Sequence, residues 1–269
     1  MGGCRYDALK SKMRLSKCSQ KKNGYIPIDM HVHTNSSNDC KTDLQSIIKK
    51  AKKKGIGIAI TDHQKIGSAI RGLANRFGCL VIPGIEIFTK DERHVLFYFY
   101  GKKELIRFYN NEIKNSRIEK GTDELLELKK KYKCIAGLAH PTGHEIWHNL
   151  GINYDIKKAD FLEVLNGRRS EKKAIKTYRW AMNYKKGLSA GSDAHTLNDV
   201  GKCVTYCKGN TIKEALDSIK AKETFVTGVA FSTRGILKKI PKDMPRFAIW
   251  CLAKAYNYSG LKKFIKPKK

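Results

Sequence analysis

The sequence predicts an α/β protein whose strands are parallel and close into a barrel. Three observations lead there. Short apolar runs alternate with helical segments about seven times along the chain. Several of these runs are apolar at every position, as strands buried on both faces require. Most of them end in an ionisable residue, which is where α/β folds gather their chemistry.

In chain order, residues 1–24 read as a basic extension, 25–231 as the folded domain and 232–269 as a basic amphipathic tail. The first strand runs through Ile28-Asp29-Met30-His31-Val32-His33. Side chains two apart on a strand share a face, so His31 and His33 project together. A polar loop carrying Asp39 follows. Thr42-Asp43 then offers an N-cap to a helix whose apolar positions Leu44, Ile47, Ile48 and Ala51 lie on one side. Lysines and Gly55 end it. The run 56–60 is a buried strand ending in Thr61-Asp62-His63. A helix is expected over 66–77, a strand over 80–85 ending at Glu86, and a strand over 94–100 led by His94. Helices over 105–120 and 123–132 precede a fourth buried run, 134–139, which ends in His140-Pro141. A fifth, 161–165, ends in Asn166-Gly167-Arg168-Arg169. A helix over 172–185 leads to a sixth, 188–191, ending in Ser192-Asp193-Ala194-His195. A strand over 203–207, a helix over 211–220 and a short strand over 224–226 complete the pattern.

Composition narrows the function. The 269 residues suffice for one large domain with a sizeable core. No apolar run approaches the roughly 20 residues of a membrane span, and the N-terminus lacks the apolar segment of a signal peptide. Eight scattered cysteines without a Cys-x-x-Cys pair suit reduced thiols in a cytoplasmic protein. Cys203 and Cys207 have no second pair nearby to complete a zinc site. The formal charge of +29 attracts phosphorylated metabolites, nucleic acid or acidic lipid. Lysine outnumbers arginine and is spread along the chain, which suits a general bias better than a dedicated nucleic-acid groove. The Phe247 to Tyr256 segment could lie on a membrane surface.

The candidate metal ligands are His31, His33, Asp39, His63, Glu86, His94, His140, Asp193 and His195. Each alone has a plain structural reading, such as a helix cap for His63 or a turn histidine for His140. Together they exceed the four ligands of a zinc ion or the five to six of manganese or iron, roughly counted. Two or three ions fit better, with Glu86 between them, because a carboxylate can bind two ions and an imidazole cannot. His144 and His148 have the spacing of a zinc-protease pair, but Pro141, Gly143 and Gly151 leave room for a short helix only. A cluster of two or three metals implies hydrolysis by a metal-activated hydroxide. The positive charge favours a phosphate ester, of a small molecule or a nucleotide. Arg168 and Arg169 could fork onto that phosphate as substrate-binding residues. His195 or His63 could assist proton transfer besides serving as ligands. A nucleic-acid-binding or end-processing protein that uses its basic termini is the alternative.

Five ordered motifs sharpen this. Asp-Met-His-Val-His-Thr (29–34), Thr-Asp-His (61–63), Pro-Gly-Ile-Glu (83–86), Ala-His-Pro (139–141) and Gly-Ser-Asp-Ala-His (191–195) resemble those of the PHP, or polymerase and histidinol phosphatase, superfamily. The resemblance covers about residues 26–228. It implies a distorted (β/α)7 barrel of the PHP type with manganese, iron or zinc at its C-terminal rim. It also implies three ligand sets: His31, His33, Glu86 and Asp193; Glu86, His94 and His140; Asp39, His63 and His195. The interval from His94 to His140 holds no large inserted domain of the kind found in nucleoside-bisphosphate phosphatases and oligonucleotide exonucleases of the family. That departure counts against their substrates; histidinol-phosphate phosphatase stays open, and the loop and spacing of the first motif look closer to the stand-alone phosphoesterase branch.

Overall fold

The structure is a computed structural model that describes residues 24–75, 78–114, 120–142 and 152–229. From β1 (Tyr25–Val32) the chain passes through α1 (Leu44–Lys54) to β2 (Gly57–Ile60), then through α2 (Gly67–Leu73) to β3 (Val81–Phe88). A tight connection leads to β4 (His94–Phe99). After α3 (Lys102–Phe108) and α4 (Thr122–Glu127) come β5 (Cys134–Leu138), α5 (Ile152–Lys158), β6 (Phe161–Asn166), α6 (Glu171–Asn183) and β7 (Gly187–Gly191). The described chain ends with β8 (Cys203–Lys208), α7 (Ile212–Lys220) and β9 (Phe225–Gly228). The expected extension over 1–24 (apart from Gly24), the tail over 232–269, and the His144/His148 pair lie outside the described residues. No helix among the described residues is long and apolar enough to cross a membrane.

Local chemistry sets the helix ends as the sequence implies. Asp43 caps α1 by accepting the Ser46 N–H at 2.9 Å. Gly55, at φ 66°, takes the left-handed turn that ends the helix. Thr211 and Glu214 form a reciprocal capping box at the start of α7.

The strands form one sheet in the order β7-β6-β5-β4-β3-β2-β1-β8-β9. β1, β2 and β3 are parallel, as are β5, β6 and β7. The all-parallel expectation fails at β4, which runs antiparallel to both its neighbours, and at β8 and β9. The reason at β4 is chain length. A parallel crossover takes about a dozen residues or more, and only the stretch from Thr89 to Arg93 separates β3 from β4. That stretch closes a hairpin in which the Thr89 N–H donates to the Arg93 carbonyl at 2.8 Å. An apolar run buried on both faces looks the same in either direction, so the reversal leaves little trace in composition. Its consequence is positional. The first residue of β4 shares a rim with the last residues of β1, β2, β3, β5, β6 and β7.

The sheet curls until β7 meets β1, giving a nearly closed barrel. Val32 and Ala194 form a bridge across this seam, and the Asp193 N–H donates to the His31 carbonyl at 2.9 Å. Lower down, the Thr205 hydroxyl accepts from the Ala190 N–H at 2.7 Å and faces the Ala190 carbonyl at 3.0 Å. Only a glycine fits at 191, where an added Cβ would lie 2.2 Å from the Cβ of His31.

Two apolar cores lie on the two faces of the curled sheet. Ile28, Met30, Ala59, Ile82, Leu96, Tyr98, Ile135 and Phe161 fill the inside. Ile58, Ile60, Ile85, Ile87, Val95, Phe97, Phe99, Ala136, Leu162 and Val164 face outward, in one core with residues of the surrounding helices. β4 alternates between the two cores without interruption, so His94 points inward with Leu96 and Tyr98. β1 does not. Ile28 and Met30 belong to the inner core but Val32 to the outer one, and the register against β2 slips between Asp29 and Val32. This bulge re-aims His31 and His33 into the barrel mouth. A second slip, between Glu163 and Leu165 on β6, does the same for Asn166. At the other end Ala215, Leu216 and Ile219 of α7 join the inner core as a floor.

Candidate metal centre

All nine candidate ligands come together at the mouth of the barrel, arranged around Glu86. This carboxylate is 1% exposed at the end of an inward-facing row. Its Oε2 lies 3.2 Å from His31 Nε2, 3.3 Å from His33 Nε2 and 3.1 Å from His63 Nδ1. Its Oε1 lies 2.9 Å from His94 Nδ1 and 3.4 Å from His140 Nε2. The two oxygens thus serve two separate sets of imidazoles. Asp193 Oδ1 lies 3.4 Å from His33 Nε2 and 3.8 Å from His31 Nε2. Asp39, on the exposed side, has Oδ2 2.8 Å from His195 Nε2 and 3.4 Å from His63 Nε2.

Three groups of ligand atoms are close enough to share an ion: His31, His33 and Glu86; Glu86, His94 and His140; His33, His63 and His195. Among the described residues these groups overlap the three expected sets: the second has the same members, the first lacks Asp193, and the third holds His33 in place of Asp39. Arg168 and Arg169 also reach the mouth. The Arg168 Nη1 is 2.7 Å from His195 Nδ1, and the Arg169 Nη2 is 3.3 Å from His140 Nδ1. Two candidate ligands sit where the backbone turns sharply off a strand, with His140 at φ 31° and Asp193 at φ 53°. Such conformations cost about 1–3 kcal/mol each and collect at functional sites.

The electrostatics are those of an acidic hole that demands positive charge. Glu86 and Asp193 are buried, which on its own would favour their neutral forms. The charge of His31 and the neighbouring imidazoles outweigh burial and hold both well below the usual carboxylate range. Burial opposes charge on His31 too, yet Glu86, Glu163 and Asp193 raise it well above an ordinary histidine. His33 goes up to about 9 against its burial, through Asp193 and Glu86. His140 moves the other way, to about 4, because burial and then the Arg169 charge disfavour its protonated form. Burial likewise lowers His63. The donor set is imidazole and carboxylate, with no thiolate among the groups. That suits divalent manganese, iron or zinc, so the residues present fit a metal cluster.

Several polar residues missed by the sequence reading hold this arrangement. Glu163 and Asn166 line the mouth from β6, and Glu163 Oε1 lies 2.9 Å from His31 Nδ1. Asp62 accepts from the Thr34 N–H at 2.6 Å and from the Ser37 hydroxyl at 3.2 Å; Ser37 in turn sits 3.2 Å from His33 Nδ1. Asp29 accepts from the Ser192 and Gly201 N–H groups at 2.8 and 2.7 Å, which fastens the loop carrying Asp193. Two of them carried a signal, though not one that says what they meet. Asp29 and Glu163 are lone acids inside apolar strands, where an unpaired charge is costly.

Comparison with known proteins agrees with this geometry. The PHP domain profile matches residues 29–228. A "Probable phosphatase" of Caldicellulosiruptor bescii is 25% identical over 211 residues, covering 66% of this chain and 84% of its own. PsfC of Pseudomonas syringae shares the fold at a TM-score of 0.59 and 16% identity, over 80% of this chain and 96% of that one. An Endonuclease Q, bound to a 27-mer duplex with an abasic lesion at its active site, does so at a TM-score of 0.60 and 17% identity, over 81% and 68%. The matched span takes in all five sequence motifs and every residue gathered around Glu86; this chain belongs to the PHP domain family of metal-dependent phosphoesterases.

Proposed function

We propose that the chain hydrolyses a phosphate ester of a small molecule or a nucleotide, with two or three divalent ions held around Glu86. The observation that carries this reading is the division of labour on that one carboxylate, with Oε2 facing His31, His33 and His63 and Oε1 facing His94 and His140. In this reading His31, His33, Glu86 and Asp193 hold one ion, Glu86, His94 and His140 a second, and Asp39, His63 and His195 a third. When bound, such ions supply Lewis-acid polarisation of the phosphoryl oxygens and a hydroxide nucleophile near neutral pH. The chain supplies the rest. Arg168 and Arg169 flank the ligands and orient the phosphate through paired N–H donors. Their fixed charge also offsets the negative charge that a phosphate brings into an already acidic mouth. With only two ions bound, His63 and His195, 30% and 15% exposed at their side chains, are instead the groups left to pass a proton to the departing alcohol.

The test is metal analysis of the purified protein followed by a substrate panel of aryl phosphate mono- and diesters and nucleoside monophosphates. Metal bound in stoichiometric amounts, with hydrolysis that a chelator abolishes, supports the reading. A protein that holds no divalent ion, or that hydrolyses equally well with the chelator present, overturns it. A second reading, processing of nucleic-acid ends, draws on the charge of +29 and on the fold shared with Endonuclease Q. End-labelled oligonucleotides in the same panel, bound with a steep salt dependence, would favour it.

A further inference from the structure

We propose that Glu163 and Asn166 are positioning residues that aim three metal ligands and the substrate arginine from a single strand. The inference rests on the metal-centre reading above. It concerns two residues that are not themselves among the ligands.

Glu163 is buried, and three donors converge on its carboxylate. His31 Nδ1 lies 2.9 Å from Oε1. The His140 backbone N–H donates to Oε2 at 2.8 Å, and the Asn166 Nδ2 donates to the same oxygen at 3.0 Å. Only an acceptor-only group satisfies three N–H donors; the glutamine amide would turn its own NH2 toward at least one of them. Taking the His31 Nδ1–H leaves Nε2 with the lone pair. Nε2 is the atom that faces Glu86 and Asp193. Glu163 therefore selects the tautomer that lets His31 act as a ligand.

Asn166 extends the arrangement. Its Oδ1 accepts the Arg168 N–H at 2.9 Å, which orients the amide so that Nδ2 faces Glu163 and also Asp193 Oδ2 at 3.3 Å. The bulge between Glu163 and Leu165 brings the two side chains, three residues apart, onto one side of β6. A ligand from β1, one following β5 and one following β7 are thus held in register by one pair. The same pair fixes the turn on which Arg168 stands.

The test uses the full-length protein stripped of metal and titrated with Zn2+ against a chromogenic chelator. Glu163→Gln is expected to weaken Zn2+ binding about 10–100-fold, the usual effect of losing an outer partner of a ligand. Far-UV circular dichroism checks that the variant is folded. Asn166→Ala is expected to raise KM for a phosphate ester more than it lowers kcat, because Arg168 loses its anchor. Two-bond 1H–15N spectra of the Zn2+-loaded wild type read the His31 tautomer with no variant at all, and Nδ1–H is expected. Nε2–H at His31, or unchanged Zn2+ affinity in folded Glu163→Gln, overturns the proposal. Failure of the wild type to bind Zn2+ would instead remove the metal-centre reading on which it rests.

Discussion

The two ends of this barrel are built from the same strands and obey opposite rules. At the mouth, inward positions carry Glu86, Asp193, Glu163 and six imidazoles, and the charges of Glu86, Asp193, His31 and His33 sustain one another against the pull of burial. At the floor, the inner core is closed by Ala215, Leu216 and Ile219 of α7, with polarity confined to links such as the Tyr100 hydroxyl on Asp217 at 2.7 Å. One end spends stability to keep charge where water is scarce. The other recovers it by burying hydrocarbon. The barrel thus separates the work of folding from the work of chemistry along its axis.

If that separation is real, variants at the two ends should fail in different ways. Glu86→Gln should lower phosphoesterase activity by about 10²-fold or more, on the scale of losing one group that stabilises developing charge, while circular dichroism still shows a folded protein. Global unfolding of that variant would break the comparison at the mouth. Leu216→Ala should cost about 2–5 kcal/mol in chemical denaturation, as cavity-forming core truncations do. The metal content of its folded fraction should match the wild type; a loss of metal there would show the ends to be coupled.

A titration sharpens the contrast further. His33 sits at about 9 through Asp193 and Glu86. A divalent ion needs its neutral ring, so below that pH binding must displace a proton. Apparent affinity should therefore rise with pH, by up to about tenfold per unit for each proton displaced, with the His33 contribution levelling off near 9. Calorimetry in two buffers of different ionisation enthalpy counts the protons released, and a pH-independent affinity between 6 and 8 would contradict the charge balance drawn here. The smallest effect belongs to the floor. Thr211→Ala removes the cap of α7 and should cost about 1 kcal/mol, read as a lower midpoint in urea with no change in activity.

Much of the mouth was legible in the sequence because its residues obey one positional rule. His31, His63, Glu86, His140 and Asp193 each follow or end an apolar run, and α/β architecture brings such ends to one rim. His94 breaks the rule by leading its run, and the structure supplies the reason in the antiparallel course of β4. The short span from Thr89 to Arg93 already required that hairpin. The bulges were not legible, because an irregular register depends on the partner strand and period-two alternation carries no mark of it. Asn166 and Glu163 stayed hidden for the same reason. Without the slip in β6 they would fall on opposite faces, and nothing in Phe161-Leu162-Glu163-Val164-Leu165-Asn166 announces that they meet.

The hairpin of β3 and β4 has a kinetic consequence. It brings Glu86 and His94 within 2.9 Å at a separation of eight residues. The ties from His31 to Glu163 and from Asp39 to His195 span 132 and 156 residues. Closing a short loop costs the least chain entropy, and local pairings form earliest. Chain entropy therefore favours Glu86 meeting His94 first, with the ligands of the later strands expected to join that corner afterwards.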